Sequence, residues 1–161
     1  MFGGYIFPFF GAIYYWFPKM SGKKLNEFWG KVHFFLMFPA FMVMMGGQLW
    51  VGLHGMRRRI AGYDAALGFE NTHLWIKIAG FVIFAAVLIF ITNIIVTLRR
   101  GEVAEGNVWR SRSLEWQIPN PAPLHNYPTP PVVVGHPYDY GLEGEGSVYV
   151  NMNPEAAPVG D

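Results

Sequence analysis

The sequence predicts an all-α membrane protein: three transmembrane helices followed by an extended, Pro-rich tail. Three observations carry the prediction. Of 161 residues 52% are hydrophobic, 17% aromatic and only 14% charged, against roughly 25% charged in soluble domains. The uncharged residues fall into long runs separated by clusters of Lys or Arg. And 9 of the 12 prolines lie after residue 100, where the composition turns polar and acidic.

Each run is measured against a hydrocarbon core of about 30 Å, which needs about 20 residues at about 1.5 Å each. The transmembrane region is 1–100, with spans near 1–17, 32–56 and 74–98. The second is the longest uncharged run, Val32 to Met56 between Lys31 and Arg57. The third contains the cleanest stretch, Ile78 to Leu98, rich in Ile, Val, Ala and Phe and closed by Arg99-Arg100. Its one weak intruder, Asn93, is expected to hydrogen-bond between helices. The first run, Met1 to Phe17, reaches about 25 Å as a helix, slightly short of the core. It reads either as a tilted short span or as the greater part of a span that begins on another chain. Its N-terminus lacks the basic region and the cleavage pattern of a secretory signal.

Topology follows from the connections. Lys19, Lys23, Lys24 and Lys31 punctuate the first loop, and Arg99-Arg100 follow the third span. Two spans separate these segments, so they share a side, and the positive-inside bias makes it the cytoplasm. The second loop, His54 to His73, is then outside, yet it opens with Arg57, Arg58 and Arg59. A cationic cluster placed against the topological bias calls for an anionic partner, either lipid phosphate or a carboxylate or phosphate on a ligand, which guanidinium grips bidentately.

The tail, 101–161, is read as Pro-rich, extended and cytoplasmic, with Trp109 to about Tyr140 as a packed strap. Prolines favour extended paths, while Trp109, Trp116, Tyr127, Tyr138 and Tyr140 are anchors that a solvated tail has no need of. The last dozen residues are expected to fray.

Several function classes are disfavoured. Net charge is +1 and no basic tract interleaves with aromatics, so nucleic acid is not an expected partner. With no Cys there is no disulfide, thiolate copper site or Cys-ligated cluster. His33 and His54 stand about 31 Å apart along one helix and cannot share an iron. His54 and His73 flank the second loop and could approach each other as axial ligands of a stand-alone di-haem cytochrome, although interfacial hydrogen bonding is the simpler expectation. The methionines 37, 42, 44, 45 and 56 follow no fixed helical spacing, which favours packing over a copper relay.

Three segments in series resemble subunit I of the A-type haem-copper oxygen reductases, the cytochrome c oxidase family. One is Ile13-Tyr14-Tyr15-Trp16-Phe17-Pro18-Lys19-Met20-Ser21-Gly22 with Trp29-Gly30-Lys31-Val32-His33-Phe34, similar to the end of the family's tenth helix and the turn into its eleventh. Another is Gln48 with Gly52-Leu53-His54-Gly55-Met56-Arg57-Arg58-Arg59 and Tyr63-Asp64, similar to the outer end of the eleventh helix and its loop. The last is Ser113-Leu114-Glu115-Trp116 with Pro119, Pro121, Pro123, His125 and Asn126, similar to the strap after the twelfth.

The resemblance implies the last three helices of a twelve-helix bundle that reduces O₂ to water and pumps protons. It implies two haems, whose propionates Arg58 and Arg59 bind. It places the haem-iron and copper ligands upstream of Met1, on a partner chain carrying the N-terminal part of subunit I. Subunits II and III, membrane lipid, and cytochrome c or quinol as electron donor are the further partners implied. Arg57 and Gly47 stand where the family usually has Pro, and Leu49 where it has His, so Arg57 carries no inherited role. A bacterial or archaeal cytoplasmic membrane is the expected location. An accessory or assembly subunit without redox contacts is the rival expectation.

Overall fold

The computed structural model describes residues 2–57, 59–109, 111 and 113–127, with only the backbone at 117. It is helical. Among the described residues there is no strand, only one antiparallel bridge, Lys23 to Val103. The helices are α1 (Phe7–Ser21), α2 (Glu27–Leu53) and α3 (Glu70–Arg100). The chain divides into two compact units, one built from Met1–Leu25 with Thr97–Asp161, the other from Asn26–Val96.

In the first unit α1 is preceded without a break by a wide π turn, Phe2–Ile6. Pro8 accounts for the widening: it has no N–H for the carbonyl four residues back, and its ring would collide with that carbonyl in a regular helix. The helix stops at Gly22, whose φ of +70° suits glycine and whose N–H bonds the Pro18 carbonyl at 2.8 Å. Space adds a second demand for glycine there, since a Cβ would lie 2.8 Å from Pro121 Cδ.

The described tail folds back onto this helix end. Ala122 N–H donates to the Lys19 carbonyl at 3.0 Å and Ala104 N–H to that of Gly22 at 2.9 Å, filling acceptors that a helix terminus leaves open. Trp116 is wholly buried. Its ring meets that of Tyr15 edge-on at 5.0 Å, and its Nε1 donates to the Tyr15 hydroxyl at 2.6 Å. Trp109 stacks on Tyr15 at 5.6 Å and donates from Nε1 to the Tyr15 carbonyl at 3.1 Å. Composition predicts an extended path here, and the structure adds a short 3₁₀ turn at Leu114–Gln117. That turn lies ahead of Pro119, where every residue still has an amide to donate.

Lys19 is the hub of the unit. Its ammonium donates to the carbonyls of Ile118 at 2.5 Å, Gly106 at 3.4 Å and Pro119 at 3.5 Å, and it lies 5.1 Å from the Trp116 ring centroid. Burial lowers its pKa to about 8, against the opposing pull of Glu115.

The second unit is an antiparallel helical hairpin. Contacts of Asn26 with Asn93, His33 with Phe90 and Gly47 with Ile76 run in opposite chain directions. Buried positions fall three, four or, once on α2, eleven residues apart, all whole steps of the helical repeat: His33, Met37, Ala40 and Val51 on α2; Ala79, Ile83, Ala86, Phe90 and Asn93 on α3. That spacing is the seam of two helices packed side by side. Asn93 does what was expected of it, donating from Nδ2 to the Asn26 carbonyl at 3.1 Å. Asn26 also caps α2, its Oδ1 accepting from the Trp29 amide at 3.2 Å. The helix therefore begins at Glu27, ahead of the uncharged run, because a cap and a first-turn carboxylate start it rather than hydrophobicity.

At 27 and 31 residues, α2 and α3 are long and apolar enough to cross a bilayer, reaching about 40 and 46 Å. Away from the seam they expose large apolar side chains, among them Phe35, Phe38, Met42, Phe81 and Phe84. An unshielded apolar exterior of that kind suits lipid or further helices rather than water.

Candidate functional site

The C-terminal end of α2 carries the candidate site. The helix closes in a Schellman arrangement: Gly55, at φ +94°, donates to the Gly52 carbonyl at 3.2 Å, and Met56 donates to that of Val51 at 3.1 Å. This turns the chain sharply and delivers the arginines immediately past the helix. Arg57 and Arg59 are exposed. Arg58 lies outside the described residues. Among the described residues, neither Arg57 nor Arg59 forms an ion pair. Arg59 sits at φ +59°, the left-handed region, which costs a bulky residue about 1–2 kcal/mol. The loop thus holds a guanidinium in a strained conformation without supplying a carboxylate to it.

Below the loop, α2 is a bare apolar wall. Leu49, Trp50 and Leu53 are exposed, and a Cβ at Gly46 or Gly52 would meet nothing within 4 Å. An apolar helix face that ends in unneutralised guanidinium suits an amphiphilic group with an apolar body and anionic arms. Carboxylates would gain charge-assisted, bidentate bonds there.

Beside this wall is an open cleft of about 520 Å³ lined by Met45, Gln48, Leu49, Val51, Gly52, Leu53, Met56, Arg57 and His73. Arg57, which has no inherited role, stands on its rim. The histidines of the loop have separate surroundings. His54 packs against Trp50 at 4.1 Å between ring centroids, with Nδ1 2.8 Å from the Trp50 carbonyl. His73 stacks on Tyr63 at 5.1 Å, with Nε2 3.2 Å from Met56 Sδ. The Met56–His73 contact is not legible in the sequence, because it depends on the sharp closure of α2. Among the described residues no three His, Cys, Asp or Glu side chains gather as a metal set. The anchors Tyr138 and Tyr140, and His136, lie outside the described residues.

The family model described as Cytochrome C and Quinol oxidase polypeptide I matches residues 1–84, just over half of the chain. Cytochrome c oxidase subunit 1 of Synechocystis is 38% identical over 145 residues, covering 90% of this chain and 26% of the relative. That of Bacillus strain PS3 is 40% identical over 160 residues, covering 99% and 26%. A putative cytochrome c oxidase subunit 1-beta of Streptomyces avermitilis is 40% identical over 135 residues, covering 83% and 24%. The chain spans about a quarter of the length of the curated relatives it matches.

Proposed function

The chain belongs to the cytochrome c and quinol oxidase polypeptide I family, and on that premise we propose that it forms the C-terminal part of subunit I of a terminal oxidase. In this reading the first apolar run, about residues 1–17, acts as a third span, the tail is cytoplasmic, and the arginine loop faces outward. The assembled enzyme reduces O₂ to water and pumps protons in a bacterial or archaeal cytoplasmic membrane. The haem-iron and copper ligands belong to the rest of subunit I, with subunits II and III beside it.

The single observation that carries the reading is the pair of features at the end of α2: guanidinium with no carboxylate partner among the described residues, and a bare apolar wall leading up to it. Arg58 and Arg59 bind the propionates of the two haems, and the wall formed by Leu49, Trp50 and Leu53 excludes water from the porphyrin edge. Haem supplies one-electron chemistry when bound. This chain supplies fixed positive charge, which holds the propionates ionised and favours the reduced form, since reduction adds negative charge nearby.

Arg58→Gln and Arg59→Gln in the assembled oxidase test this by redox titration of the haem bands. Each substitution is expected to lower a midpoint by on the order of 50 mV, about a tenfold change in a one-electron equilibrium. Midpoints unmoved in both variants overturn the assignment. The donor to the enzyme is cytochrome c in this reading, because that is the name its relatives carry; turnover with reduced cytochrome c against quinol decides between the two.

A further inference from the structure

Met56 and His73 meet at the cleft beside the α2 terminus, and propionate binding by Arg58 and Arg59 makes no use of them. We propose that Met56 and His73, with Met45 as third donor, form a binding site for a soft monovalent cation of the Cu(I) or Ag(I) class.

Both donors are held from outside the cleft. Met56 follows the left-handed Gly55 and is pinned by its own amide on the Val51 carbonyl. His73, in the first turns of α3, has its ring stacked on Tyr63. The thioether sulfur and imidazole Nε2 stand 3.2 Å apart. A metal with bonds of about 2.0 Å to nitrogen and 2.3 Å to sulfur at a near-tetrahedral angle needs about 3.5 Å between the donors. A shift of roughly 0.3 Å makes room, and methionine, unbranched and flexible, supplies it easily. Met45 lines the same cleft. His73 binds as neutral imidazole through the Nε2 lone pair, its ring proton moving to Nδ1, so no net proton is released and the ion keeps its oxidation state.

The lining also selects. Among the described residues it contains no carboxylate, so Mg²⁺ and Ca²⁺, which take oxygen ligands, find none of their usual charge. Thioether and imidazole are the donors that Cu(I) accepts. The Arg57 guanidinium on the rim repels any cation, and repels a divalent one twice as strongly.

The test uses the full chain in the assembly with which it purifies, its methionine methyl groups labelled with ¹³C, titrated with silver nitrate. The Met56 methyl resonance, assigned by its loss in Met56→Leu, is expected to shift and saturate at one Ag(I) per chain. Met56→Leu nearly conserves volume. In that variant this one equivalent of silver is expected to be lost, and in His73→Gln its affinity is expected to fall at least tenfold. Zinc at the same concentration is expected to leave the resonance in place. A Met56 signal unmoved at one equivalent, or silver binding unchanged in either variant, overturns the site. The readout contains no haem signal, so its failure is distinct from failure of the propionate assignment.

Discussion

The Lys19 ammonium lies 2.5 Å from the carbonyl oxygen of Ile118, 99 residues further along the chain. Removing it leaves three strap carbonyls without their shared donor beside a wholly buried Trp116. Lys19→Met keeps the length of the stem and removes the charge. It is expected to weaken tail docking by about 2 kcal/mol, and limited proteolysis should then cut within residues 102–122 where the parent chain resists.

Titration gives an independent check on the same group. Lys19 has a folded pKa of about 8 against 10.5 for the free side chain, because burial disfavours its charge. Between pH 8 and 10.5 the folded form has released the proton and the unfolded form still holds it, so folding stability from this group rises with pH across that window. Below pH 8 both states are protonated and the gain is absent. Reductive methylation with ¹³C is expected to show a Lys19 resonance, assigned by its absence in Lys19→Met, that titrates near pH 8.

Trp116 and Tyr15 separate packing from hydrogen bonding. Tyr15→Phe retains the ring contacts and loses the 2.6 Å acceptor, at about 1 kcal/mol. Trp116→Ala empties the centre of the strap and is expected to cost about 3–5 kcal/mol. Denaturation in detergent, read through tail accessibility, ranks the two.

In the hairpin, Gly47→Ala would set a Cβ 2.8 Å from Ile76 Cγ1. Overpacking of this kind costs about 1–3 kcal/mol, and Ile76→Val introduced with it should recover part of the loss. Additive rather than compensating effects in that double variant would show that the two helices do not touch there.

Arg59→Gly sets local strain against function. Glycine adopts φ +59° freely, so the loop is expected to gain about 1 kcal/mol. If the guanidinium serves a propionate, the same variant lowers a haem midpoint while the protein becomes harder to unfold. Stability and potential moving in opposite directions is the expected signature.

Much of this was legible in the sequence, for reasons that differ from residue to residue. Trp109 and Trp116 announced themselves as anchors because an aromatic in a Pro-rich polar stretch needs a reason to be there, and Tyr15 is that reason. Asn93 stands out as the one amide in an apolar run, and it does bridge to the cap of α2. The lysines of the first loop were harder. Charge alone reads them as topology signals, yet Lys19 holds the strap and Lys23 donates to the Leu98 carbonyl at 2.8 Å near the end of α3. Those acceptors are backbone atoms, which carry no residue identity for a reader of sequence to find. Lys31 pairs with Glu27 on the surface, where such bridges are worth little. The methionines divide similarly: Met37 is packing, as expected, while Met56 meets His73 through a helix closure that hydrophobic spacing does not reveal.

The Lys19 hub also has a history in time. A ribosome adds about 5–20 residues per second, so roughly 5–20 seconds separate the synthesis of Lys19 from that of Ile118. Through that interval the ammonium has none of its carbonyl partners and stays hydrated. Only when the stretch from Gly106 to Pro119 arrives is the same charge withdrawn from water and turned into a fastener. One lysine is thus a solvated charge first and a clasp second, and its burial marks the moment at which the two distant stretches of this unit are joined.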